Sequence, residues 1–268
     1  MDPLPATRLT LLATEALRRL AAMPAEAAVL NAALRMLAKW RAEVVANTLV
    51  RRSGTRVLNG PFRGMDYGGV ASEGSRSARL LGSYEASLHP VIEEIVARAY
   101  PLVIDIGAAE GYYAVGLALR MPGARVLARD ADARAQDLCR ALALRNGVQD
   151  RVAVGGLFGH ADFDQVTAQP SLVLCDIEGA EAELLDPVAA PGLLKADILV
   201  ECHEGMVPGL TRTLTERFAA SHRVQRIDRK LDAAVLPGWM EELSDLDRLI
   251  ALWEWRASPT PWLWMRHL

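Results

Sequence analysis

From Pro101 onward the chain repeats one unit, a short apolar run followed by a helical stretch, and this alternation limits the fold more than any other feature. Leu102 to Asp105 leads through a glycine turn into Tyr112 to Met121, and Ala124 to Ala128 leads into Ala133 to Asn146. Arg151 to Gly155, Ser171 to Cys175, Asp197 to Glu201 and Arg223 to Ile227 are the next strand candidates. Helical spacing falls near Ala161 to Thr167, Ala180 to Asp186 and Thr211 to Ser221. Trp262 to Leu268 closes the chain as a last strand after the helical run Asp245 to Arg256. Repeated strand-helix units predict an α/β fold, a doubly wound and mostly parallel sheet with helices on both faces.

The first hundred residues follow another pattern. Leu9, Leu12, Ala16 and Leu20, then Leu30, Leu34, Leu37 and Val44, recur at helical steps with Arg and Glu between them. Pro24 divides this stretch into two helices, because a proline inside a helix removes a hydrogen bond and clashes with the preceding turn. Residues 55 to 67, two extended runs around Asn59-Gly60-Pro61, read as a hairpin. Gly68, Gly69, Gly74 and Gly82 then read as a flexible segment able to close over a site. The expected organisation is a helical extension with hairpin over 1–85 and a main domain over 86–268, the extension serving as a cap or as a homodimer face.

Composition narrows the partners. A chain of 268 residues with 51 % hydrophobic and 24 % charged side chains has the balance of a folded globular protein. Its 30 basic and 33 acidic side chains, a net charge of -3, remove the broad electrostatic argument for nucleic acid or an anionic membrane as main partner. Cys139, Cys175 and Cys202 are too few and too scattered for a disulfide framework or a zinc cage, and buried thiols are expected. No signal peptide is read, and the expected location is the cytoplasm.

In open parallel sheets the ligand sits beyond the carboxyl ends of the strands. The first such turn, Asp105-Ile-Gly-Ala-Ala-Glu-Gly111, has two glycines for close approach but carries Asp105 and Glu110 with no Lys or Arg. Carboxylates repel phosphate, and the nicotinamide fingerprint fails at Ala109 and Tyr112. Asp130 stands 19 residues after Gly111, where an acid can accept both hydroxyls of a ribose. A nucleoside joined to a charged amino acid instead of a phosphate, S-adenosyl-L-methionine, meets both conditions. Beyond the fourth and fifth strands, Asp176, Glu178, Glu201 and His203 fall at one rim. Histidine titrates nearest neutrality and is the favoured base there. Glu181 reads as a partner of its own helix dipole. Three carboxylates and a histidine also form a set able to hold a divalent ion, although no metal is assigned.

Asp105-Ile-Gly-Ala-Ala-Glu-Gly-Tyr-Tyr113 together with Asp176-Ile-Glu-Gly-Ala-Glu181 and Ile198-Leu-Val-Glu-Cys-His203 resembles the FkbM-like S-adenosylmethionine-dependent methyltransferases. The likeness runs from about Leu81 to Glu204, and Leu81-Gly-Ser-Tyr-Glu85 also looks like a segment preceding the core in that family. It implies a class I, Rossmann-like methyltransferase sheet of seven strands whose final strand is antiparallel. By position it implies cofactor contacts from Asp105, Gly107, Ala108, Glu110, Gly111 and Tyr112, then from Asp130, Ala131 and Asp176, the last near the transferred methyl. Ala109 stands where the family often has asparagine, and Arg129-Asp-Ala131 where it has Phe-Glu-Pro. The signature of amino-methylating enzymes, Asn or Asp before Pro-Pro and an aromatic, is replaced by Ile177 and Glu178. The expectation is therefore O-methylation of a small-molecule or glycan hydroxyl, with His203 as base beside Asp176, Glu178 and Glu201, and with Phe62, Met65 and Tyr67 walling the acceptor. A nucleic-acid methyltransferase, a non-catalytic cofactor-binding scaffold and a nicotinamide oxidoreductase are the rival readings.

Overall fold

The computed structural model describes residues 7–68, 74–231, 233–256 and 258–268. Helices α1 (Arg8–Ala21) and α2 (Ala27–Ser53) flank Pro24, as its stereochemistry requires. The Thr7 hydroxyl accepts from the Thr10 amide to cap α1, and Gly54, at φ 79°, ends α2. Residues 55 to 67 form the hairpin in reduced form. Arg56 and Asp66 are its one bridged pair, with the Val57 and Tyr67 amides donating to the Met65 and Thr55 carbonyls.

Of the segment expected to be flexible, residues 69–73 lie outside the described residues, and from Gly74 on the chain folds into α3 (Arg76–Leu81) and α4 (His89–Arg98). Leu80, Leu81, Ile92 and Ile95 are buried there, and Gly82 at φ 73° terminates α3 instead of loosening it.

The sheet follows the predicted alternation closely: β1 (Leu102–Ile106), α5 (Tyr112–Arg120), β2 (Arg125–Arg129), α6 (Ala133–Arg145), β3 (Val152–Gly155) and β4 (Ser171–Cys175). Then come α7 (Glu181–Leu184), β5 (Asp197–Glu201), α8 (Leu210–Phe218), β6 (His222–Ile227), α9 (Asp245–Ala251) and β7 (Trp262–His267). The order across the seven strands is β3-β2-β1-β4-β5-β7-β6. β7 runs antiparallel to β5 and β6, whereas the other neighbouring pairs are parallel. This is the mostly parallel, Rossmann-like sheet with an antiparallel final strand. β1, β4 and β5 are buried along their whole length, which explains why they read as unbroken apolar runs. Two expected helices differ. Residues 160–168 wind as a 3-10 helix, and α9 is shortened, stopping at Ala251 because the chain then turns, with Trp255 at φ 63°, to carry Glu254 and Arg256 inward.

One apolar cluster runs across position 85: Val45 and Leu49 of α2 and Phe62 of the hairpin share it with Val103 of β1 and Leu117 of α5. A second cluster covers the other face, where Ile104, Val173 and Ile198 meet Leu210 and Phe218 of α8. None of the described helices is long and apolar enough to cross a membrane.

Candidate active site

A cleft of about 620 Å³ opens beyond the carboxyl ends of β1 to β4. Gly107, Asp130 and Ala131 line one side of it, Phe158 and Leu184 another, and Asp176 and Glu178 the rim. The crossover between β1 and β4 creates this opening, since the chain leaves β1 toward β2 on one side and returns to β4 on the other.

At the base, Gly107 takes φ 82°, and a Cβ built there would stand 1.6 Å from the Asp176 carbonyl oxygen. The glycine is thus required by the contact between the tips of β1 and β4. Asp105, one residue from the end of β1, is 1 % exposed, and its Oδ2 has no hydrogen-bond partner. Burial, reinforced by the charge of Asp176, pushes its carboxyl up to about 7. Asp130 follows β2 and is held by two backbone amides, Ala109 to Oδ2 and Asp132 to Oδ1, both at 2.8 Å. Each carboxylate oxygen keeps a further lone pair for a ligand.

The rest of the glycine turn departs from expectation. Gly111 serves packing, because a Cβ there would meet Sγ of Cys139 on α6 at 2.6 Å. Ala108 and Tyr112 are buried and do not line the cleft; the Tyr112 ring stacks edge-on against Phe62, Tyr67 and Tyr84. Glu110 also turns inward, accepting from the Tyr67 hydroxyl at 2.6 Å and lying 3.1 Å from Nε of Arg79. Its charge is neutralised in the interior and does not face the cleft. Phe62, Met65 and Tyr67 are at most 4 % exposed and belong to the core, so they form no acceptor wall. An aromatic-rich hairpin over a glycine turn gave them the pattern of a lid, yet the same residues fill the space above α5.

At the rim, Glu178 at φ 51° and Gly179 at φ 106° make a tight turn that brings Glu181 back beneath it. Glu181 is fully buried and accepts from the amides of Ile177 and Gly179 at 3.4 and 3.0 Å. Its Oε1 lies 2.6 Å from Nδ1 of His203, whose Nε2 stands 3.6 Å from Asp176 and 3.5 Å from Glu201. Burial by itself would lower the His203 pKa, but the Glu181 hydrogen bond and the charges of Asp176, Glu181 and Glu178 raise it. Glu181 titrates below the usual carboxylate range: burial opposes this, and the His203 hydrogen bond with the backbone amides outweighs it. Asp176 titrates above it, because burial dominates the opposing charges of His203 and Arg256. Glu201 is secured from behind by Arg256, which also bonds Glu85 and Glu254. Glu178 is exposed at the cleft mouth.

Asp176, Glu201 and His203 therefore converge as expected, and Glu181 joins them instead of acting on its helix alone. Asp176, Glu181 and His203 each present a ligand atom within 4.8 Å of one another, close enough for a metal ion. Two bound amides and Nδ1 already occupy the Glu181 oxygens, which leaves Nε2 and Asp176 as the open donors. The opposite wall, Leu157 and Phe158 after β3, was missed from sequence. Its signal was present in Gly155-Gly156, a glycine pair at a strand's carboxyl end.

No family model matches the chain. Over 82 residues it is 46 % identical to the release factor glutamine methyltransferase of Chlorobaculum tepidum, a stretch that is 27 % of this chain and 28 % of that protein. Among solved structures it is similar to an O-methyltransferase from Bacillus cereus in complex with SAH, at 13 % identity and TM-score 0.48, over 85 % of this chain and 90 % of that one. It is also similar to the O-methyltransferase TomG from Streptomyces achromogenes in complex with SAM, at 12 % identity and TM-score 0.46, over 72 % and 87 % of the two chains.

Proposed function

We propose that this protein is an S-adenosylmethionine-dependent methyltransferase that methylates a hydroxyl oxygen of a small molecule or glycan, with His203 as the base. The observation that carries the reading is the pinned imidazole: Glu181 fixes Nδ1, so that Nε2 is directed toward Asp176, 3.6 Å away, and Asp176 itself lines the cleft.

The residues present fit the cofactor. A sulfonium and an ammonium group require anionic surroundings, and the orphaned Oδ2 of Asp105 is a buried acceptor still lacking a donor. Asp130 retains lone pairs suited to ribose hydroxyls, and Leu157, Phe158 and Leu184 offer an apolar wall suited to a flat base. The bound cofactor supplies an electrophilic methyl on a positively charged sulfur. The chain's own work is to orient the two reactants, exclude water and accept one proton at His203 Nε2. Holding both reactants in near-attack geometry supplies roughly 7 to 11 kcal/mol, against about 10²- to 10⁴-fold from the base. Oxygen is favoured over nitrogen because Ile177 and Glu178 replace the proline-rich amino-methylating signature.

Calorimetric titration with S-adenosylmethionine, S-adenosylhomocysteine and NAD is the test. Binding of the first two and none of the third is expected, followed by transfer of labelled methyl to a hydroxyl acceptor that His203→Ala slows without weakening cofactor binding. Failure to bind either sulfur compound would refute the proposal.

A further inference from the structure

α2 reaches well beyond the domain it belongs to. It has 27 residues, roughly 40 Å of helix, and its buried positions begin only at Ala42, while α1 has none among its described residues. The helical hairpin therefore stands largely clear of the main core. One line of α2, namely Val29, Ala33, Met36 and Trp40, is half-buried, and Trp40 Nε1 donates to the Thr10 hydroxyl of α1 at 3.3 Å. That line is the seam inside the hairpin.

A second line lies about a quarter turn away around the helix. It runs Glu26, Leu30, Leu34, Leu37 and Arg41, at steps of four, four, three and four. Its leucines are 72 %, 67 % and 37 % exposed, and their spacing is that of a helix seam made for another helix. Opposite charges close the two ends. Glu26 is exposed at the amino end, and Arg41, held in place by Asp247 at 2.6 Å through two bonds, keeps 39 % of its side chain exposed at the other.

We propose that α2 pairs with α2 of a second copy of this chain, antiparallel and two-fold symmetric about Leu34. In that register Leu34 faces its own counterpart, Leu30 faces Leu37, and Glu26 faces Arg41. The charges choose both the partner and the direction. A parallel pair would set Glu26 on Glu26, which costs energy at that end, whereas the antiparallel pair sets each Glu26 beside the exposed part of Arg41. Only a partner with the reversed charge order complements this seam, and a second copy turned end for end supplies it.

Sedimentation of the full chain tests the state, and cysteine pairing tests the register. The wild type should sediment as a dimer, and Leu34→Glu should weaken it by roughly 100-fold or more, since two carboxylates would then face each other. Cofactor titration of the same variant reports whether its domain is intact. Mixing Leu30→Cys with Leu37→Cys chains under mild oxidation should give the mixed disulfide, because the native thiols Cys139, Cys175 and Cys202 are buried. A monomeric wild type, including one that gathers on anionic vesicles, would overturn the proposal. So would an intact dimer in Leu34→Glu, or cross-linking of Leu30→Cys and of Leu37→Cys each with itself.

Discussion

Glu181 Oε1 lies 2.6 Å from His203 Nδ1, joining the turn after β4 to the end of β5 across 22 residues of sequence. The carboxylate is itself held by the amides of Ile177 and Gly179, so the imidazole is oriented by a rigid group and not by a mobile side chain. Orientation of a base by a fixed carboxylate is the arrangement that keeps one ring nitrogen presented to the reaction.

The first prediction concerns pH. His203 must be neutral to accept a proton, and its folded pKa is raised above the ordinary imidazole value. Turnover should therefore rise with pH through a midpoint displaced upward from about 6.5. Glu181→Gln removes a charge that holds the proton on His203, so the midpoint should fall toward the ordinary value while turnover drops within the roughly 10²- to 10⁴-fold range of base catalysis. A pH-rate profile at saturating cofactor, measured for both proteins, decides it; an unmoved midpoint removes Glu181 from the role of orienting residue.

Asp105 gives the second. Its carboxyl, buried behind Gly107 and pushed up to about 7 by burial and by Asp176, is half protonated near neutrality. A cationic ligand favours the ionised form, so binding expels a proton and affinity for S-adenosylmethionine should tighten as the pH rises from about 6 to about 8. Titrations in buffers of different ionisation enthalpy would reveal the released proton. Identical heats in all buffers would contradict the assignment, and Asp105→Asn should abolish the pH dependence.

Asp130 supports the third prediction. Asp130→Ala deletes the anchor of the Ala109 and Asp132 amides along with the ribose acceptor, and cofactor affinity should fall about 10- to 100-fold for a loss of roughly 1.5 to 3 kcal/mol. Asp130→Asn keeps one accepting oxygen and should lose less. Equal affinity in wild type and Asp130→Ala would place the ribose elsewhere.

The strands were legible because β1, β4 and β5 are buried on both faces and so read as continuous apolar runs. The rim was legible for the same reason, since Asp176 and His203 interrupt or follow such runs. What escaped sequence reading is set by contacts between distant segments. Nothing near Glu110 announces Arg79, 31 positions earlier, and nothing in a glycine-rich stretch announces that α3 will bury its leucines in the apolar cluster it shares with α2. Gly111 looked like a ligand-facing glycine although its constraint comes from Cys139 on the next helix. Local sequence reports the residue's conformation, whereas the neighbour that demands it comes from the fold.

Glu110 gives the last prediction, because the two readings of this residue differ in what its loss should do. As a carboxylate facing the cofactor it would set affinity; as the partner of Arg79 and Tyr67 it sets stability. Arg79 and Glu110 are 5 % and 2 % exposed, and deleting one member of a buried pair leaves an uncompensated charge at a cost of about 3 to 5 kcal/mol. Glu110→Ala should therefore lower the unfolding free energy by that amount in urea. Glu110→Gln, which still accepts from the Tyr67 hydroxyl, should lose part of it. Below the unfolding transition, both variants should bind S-adenosylmethionine as the wild type does. The opposite pattern, full stability with affinity lost, would return Glu110 to the cleft.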